Sequence, residues 1–123
     1  MTQRDMAAYK KMLAAKRAEL SAGLLSREEI AVERSADQAD EIQRALEREL
    51  VIRNLDSRAH LLRNVEAALE RIEDGSYGVC LECEEEINPK RLAAVPWTAL
   101  CIDCQERADR EQAAQQSLAY KAA

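Results

Sequence analysis

Four cysteines stand in two pairs, Cys80-Leu-Glu-Cys83 and Cys101-Ile-Asp-Cys104, with seventeen residues between the pairs. Zinc takes four soft ligands in a tetrahedron, and two intervening residues let both thiolates of a pair reach one ion without strain. The pattern predicts one structural Zn2+ held by Cys80, Cys83, Cys101 and Cys104. Four protein ligands close the coordination sphere, so no position is left for an activated water. Metal is favoured over disulfides because no apolar run reaches the length of a signal sequence or a membrane span, which places the chain in the cytoplasm, where thiols stay reduced. A second group of chemically able residues lies far upstream. Asp37 and Asp40 fall in SADQADE, residues 35–41, which holds three acids and no base.

Nothing else in the chain suggests catalysis. His60 is the single histidine and has no nearby histidine in sequence with which to share a metal or a proton, so it reads as a helix-surface or partly packed residue. There is no phosphate-cradling glycine loop and no nucleophile elbow. Trp97 reads as a lid on the cysteine-rich module. The expectation is a protein that is not an enzyme.

The elements that must position these residues are helices. The chain has 123 residues and a 47% hydrophobic fraction, but 22 of the residues are Ala and none is Phe, so a large core is not expected. Met6, Tyr9, Leu13, Leu20 and Leu24 fall on one helical stripe, and Leu25, Ile30 and Val32 continue it less regularly into the low thirties. After the acidic turn Ile42, Leu46 and Leu50 restart a stripe, which Leu55, Ala59, Leu62, Val65, Leu69 and Ile72 carry on in a near-heptad seam. Asp40–Arg44 and Glu49–Arg53 are supporting pairs at i, i+4. Neither stripe can be buried alone, so the two arms, each about 45 Å long, must pair. In the turn, Ser35 and Gln38 match a capping box, and either aspartate also suits the positive end of the second helix.

Gly75 and Gly78 end the second helix, and residues 75–104 hold all the cysteines, both prolines and the tryptophan. The fold class is therefore mainly α: an antiparallel coiled-coil hairpin over 1–74 with its tip near 34–41, a C4 zinc module over 75–104, and a C-terminal helix over 105–123. A hairpin that satisfies its own seam predicts a monomer, and the chain holds no span for a membrane.

The cysteine spacing also suits GATA-type DNA-binding fingers, but charge opposes that reading. The formal charge of the chain is -5. The module itself holds Glu82, Glu84, Glu85, Glu86 and Asp103 against Lys90 and Arg91, whereas phosphate contact normally supplies most of the affinity for DNA. Direct sequence-specific DNA binding is not expected.

The stretch GSYGVCLECEEEINPKRLAAVPWTALCIDC resembles the signature of the DksA/TraR family of C4 zinc-finger transcription factors, the family of the DnaK suppressor protein. Gly75, Tyr77, Gly78, Cys80, Cys83, Ile87, Arg91, Leu92, Pro96, Cys101 and Cys104 stand at the signature positions, and the preceding helices extend the resemblance to nearly the full chain. It implies a bacterial regulator of transcription initiation that binds RNA polymerase directly and passes a coiled-coil tip into the secondary channel toward the catalytic Mg2+. The family's tip motif D-x-x-D-x-A falls on Asp37-Gln38-Ala39-Asp40-Glu41-Ile42, so the resemblance makes Asp37, Asp40 and Ile42 the polymerase-regulating tip. Ile42 departs from the family's Ala and also begins the apolar stripe of the second helix. The family's use of guanosine tetraphosphate relies on basic side chains at positions that here hold Asn64, Val95 and Gln105. An effect on transcription largely independent of that nucleotide is therefore expected, with Arg63 and Lys90 the nearest cations in sequence. Two further readings remain: a coiled-coil and zinc adaptor for another protein, and a transcript-cleavage factor, against which the zinc signature speaks.

Overall fold

A computed structural model describes residues 1–38 and 41–122, with side chains described for 1–22 and 41–118. Among the described residues four helices follow in order: α1 (Gln3–Gln38), α2 (Glu41–Asp74), α3 (Pro89–Ala94) and α4 (Ile102–Ala122). At about 1.5 Å of rise per residue, α1 and α2 are each roughly 50 Å long.

The start of α1 is fixed by a reciprocal cap. Thr2 Oγ1 accepts from the Asp5 amide at 3.1 Å, and the Thr2 amide donates to Asp5 Oδ2 at 3.2 Å. These bonds to Thr2 hold the Asp5 carboxyl below the usual carboxylate range. The far end of α1 differs from the sequence expectation. The helix continues to Gln38, so residues 35–38 belong to α1 and Ser35 does not cap the second helix. Residues 24–38 hold no Gly or Pro, so nothing in the sequence stops α1 in the low thirties. Asp37 lies in the last turn of α1, with its side chain outside the described residues; Asp40 lies outside them altogether.

α1 and α2 run antiparallel against each other, and Lys10 Nζ meets Glu73 Oε1 at 2.7 Å across the pair. The bond from Lys10 holds the Glu73 carboxyl below its ordinary value. Its stabilising effect is therefore present above the ordinary carboxylate pKa and is lost as pH falls through the lowered one. Both side chains are exposed, so salt screens the pair.

Leu13 and Leu20 of α1 are buried against Val65 and Ala68 of α2, with Met6, Tyr9, Leu62, Leu69 and Ile72 packed around them. The same core runs without a break into the cysteine-rich module through Tyr77, Cys80, Ile87, Leu92 and Cys104. Helical hairpin and module thus share one apolar interior, which the division at residue 74 does not convey.

The seam departs from expectation toward the tip. Ile42, Leu46 and Leu50 are 77%, 62% and 58% exposed, while Arg44, Glu47, Val51 and Leu55 are half-buried. The five-residue step from Leu50 to Leu55 turns the helix face by about 140°. The apolar residues on either side of that step therefore cannot share one seam. The exposed face also carries the expected Glu49–Arg53 pair, 2.5 Å between Oε1 and Nη2.

Candidate functional site

The site is built by two tight turns brought together over the base of the hairpin. α2 ends in a Schellman-type cap: the Ser76 amide donates to the Arg71 carbonyl at 3.0 Å, with Gly75 at φ +83° between them. Gly78 follows at φ +88°, a backbone conformation that calls for glycine. The chain then folds back on itself. Val79 and Glu86 form an isolated antiparallel bridge, the Ile87 amide donates to the Gly78 carbonyl at 2.8 Å, and the Cys80 amide donates to Glu85 at 2.8 Å. This reversal presents Cys80 and Cys83 on one side. Glu84 makes the turn with a φ of 61°, a conformation that costs a side-chain-bearing residue about 1–2 kcal/mol.

α3 was not anticipated, although its signal is present. Asn88 accepts from the Lys90 amide through Oδ1 at 2.9 Å, and Pro89 occupies the first turn, a common way to begin a short helix. The C-terminal helix begins at Ile102 rather than Gln105, which places Cys104 inside its first turn.

The four sulfurs of Cys80, Cys83, Cys101 and Cys104 all lie within 4.8 Å of one another. Cys83 Sγ and Cys101 Sγ are 3.8 Å apart, close to the ~3.8 Å edge that a tetrahedron with Zn–S bonds of about 2.3 Å would have. Without a compensating ion the thiols are unequal. Burial pushes the Cys80 thiol up, but the amides of Cys83, Cys101 and Glu82 outweigh it and bring the group down to about 6. Hydrogen bonding to Cys101, with burial, pushes Cys104 up to about 12. Four thiolates cannot crowd together without a compensating charge, and one divalent soft ion supplies it.

A clamp missed by sequence reasoning holds the second cysteine pair against the hairpin. Arg71, buried at 9% exposure, extends from the last turns of α2 and donates through Nη2 to the carbonyls of Trp97 and Thr98 at 3.4 and 3.3 Å. Tyr77 donates its hydroxyl to the Pro96 carbonyl at 2.7 Å, and Arg91 Nε donates to the Leu100 carbonyl at 3.0 Å. Burial raises Tyr77 to about 12 and lowers Arg71 from its ordinary value. Every one of these bonds lands on the loop that leads into Cys101. In sequence Arg71 looks like any charged residue of a solvated helix, and only its position one turn before Gly75 hints otherwise. Trp97 is half-buried and packs against the shared core.

Asn64, Val95 and Gln105 are brought together, lining a cleft of about 570 Å³ with His60, Arg71 and Arg91. Its two arginines are already committed to backbone carbonyls, and Arg63 and Lys90 are not part of its wall. Asp40 and the side chain of Asp37 lie outside the described residues.

Residues 75–110 match the family model of the prokaryotic dksA/traR C4-type zinc finger. A Caulobacter vibrioides protein named RNA polymerase-binding transcription factor DksA is 34% identical over 115 residues, spanning 91% of this chain and 81% of that one. An Aquifex aeolicus protein is 52% identical over 50 residues, 41% of this chain and only 34% of that protein's length. The solved structure of transcription factor DksA2 from Pseudomonas aeruginosa superposes with a TM-score of 0.76 at 30% identity, covering 91% of this chain and 88% of the other. The chain belongs to the DksA/TraR family of C4-type zinc-finger proteins. Its cofactor is one structural zinc ion, and the converging thiolates of the two cysteine pairs are the groups that would hold it.

Proposed function

We propose that this chain is a cytoplasmic regulator of transcription initiation that binds bacterial RNA polymerase directly, with the hairpin tip entering the secondary channel and Asp37 and Asp40 acting there. The observation that carries the reading is mechanical. Two paired helices of roughly 50 Å are fixed at their base to a zinc module by Arg71 and Tyr77. Such a lever holds a tip far from a docking base, as a narrow, deep channel requires. The acidic module argues for a protein partner over nucleic acid, since Glu82, Glu84, Glu85 and Glu86 are all exposed and repel phosphate.

Zinc supplies the fixed geometry of the base and takes no part in chemistry, because four thiolates leave it no open position. Charge at the tip supplies the output. Asp37→Asn and Asp40→Asn are therefore expected to change transcription from a promoter with a short-lived open complex while leaving polymerase binding nearly intact. Folding should change by no more than a capping contribution of about 0.5–2 kcal/mol. Ile42→Ala, which restores the family residue at a 77% exposed position, should alter the regulatory output with no loss of stability. Wild-type transcription from both aspartate variants would remove the tip from the mechanism.

The same reading makes the output largely independent of guanosine tetraphosphate. A polyanion needs uncommitted cations, and the cleft lined by Asn64, Val95 and Gln105 offers arginines whose hydrogen bonds hold the zinc loop. With polymerase whose other nucleotide site is disabled, titration should show little synergy. A strong response at micromolar nucleotide would overturn this.

A further inference from the structure

Ile42, Leu46 and Leu50 form an outward ridge on α2 at i, i+4 and i+8, about 12 Å long, with exposures of 77%, 62% and 58%. Large aliphatic side chains on the tip-proximal half of a helix contrast with the base half, where Val65 and Ala68 are fully buried. Beside the ridge Glu49 and Arg53 neutralise each other. We infer that this ridge is a docking surface for an apolar strip on the wall of the polymerase channel and that it supplies affinity, separately from the tip carboxylates that set the output. The inference rests on the polymerase reading given above.

Two arguments select this occupant over a second copy of the chain. The ridge begins two residues beyond Asp40, so whatever surrounds the tip also meets the ridge. Three side chains expose on the order of 300 Å², well short of the ~800 Å² per partner of a stable self-association. A channel wall enclosing the whole hairpin adds the missing area elsewhere. Because the three ridge side chains are uncharged, the ridge's own contribution should also be insensitive to salt.

The test is equilibrium binding to purified bacterial RNA polymerase by the zinc-loaded full chain. Leu46→Gln and Leu50→Gln keep helix propensity and, at exposed positions, leave the fold intact, as far-UV dichroism and zinc content will verify. Together they should weaken binding by roughly 10- to 100-fold, with the loss unchanged between low and moderate salt. Leu118→Gln, at a 66% exposed position on α4, should bind as wild type. A double variant that binds like wild type overturns the ridge while leaving the polymerase reading in place. A wild-type chain that fails to bind polymerase overturns both. A wild-type dimer that the double substitution converts to monomer, by light scattering, assigns the ridge to a second copy instead.

Discussion

Replacing Cys104 with Ser is expected to release the zinc and unfold residues 75–104, with the base of the hairpin loosened and its distal turns still helical. The effect should be the largest of any single substitution in the chain, because binding of structural zinc is itself folding free energy, on the order of 10 kcal/mol. Cys104 is 6% exposed and sits in the first turn of α4, so its loss removes a ligand and a core contact together. The damage should spread, since Tyr77, Ile87 and Leu92 share one core with Leu13 and Val65. Metal analysis of protein purified without chelator should give one zinc per chain for wild type and well below one for the variant, with a lower midpoint of thermal unfolding. A variant that keeps one zinc at wild-type stability would disprove the ligand role of Cys104.

Arg71→Ala should be among the most damaging substitutions outside the cysteines. It strips hydrogen bonds from the carbonyls of Trp97 and Thr98 in a buried setting, and each unsatisfied group costs about 1–3 kcal/mol. A total near 3 kcal/mol is expected in urea unfolding of the zinc-loaded chain. Arg71→Lys should recover only part of it, because an ammonium is a more strongly hydrated point charge and costs more to bury than a guanidinium. The clamp also holds the loop entering Cys101, so the alanine variant should surrender zinc to a chelator about tenfold faster. Unchanged unfolding and unchanged zinc release together would show that Arg71 is not a clamp.

Both predictions depend on a core that joins hairpin to module, a feature only partly legible in the residues. The cysteine pairs announce their own chemistry, since the short loop between paired ligands is a local constraint that any fold must obey. The signature around them, from Gly75 to Cys104, is equally local: Gly75 and Gly78 adopt the positive φ values that ending a helix and turning into the knuckle require. Helical character over most of 3–74 is likewise written in propensity and spacing, and so is the need for its two apolar stripes to pair.

What sequence by itself determined about this protein is therefore its helices, its zinc chemistry and its family resemblance, each set by neighbours along the chain. Tertiary structure alone decided which charges are structural and which apolar residues face outward. Arg71 and Arg91 are ordinary helix arginines until the loop of residues 95–100 folds over them and its carbonyls need donors. Ile42, Leu46 and Leu50 look like the start of a seam, yet they are exposed while Val51 and Leu55 are half-buried. The reason is that burial belongs to a pair of surfaces: periodicity defines a face, and only the packed partner decides which face is covered.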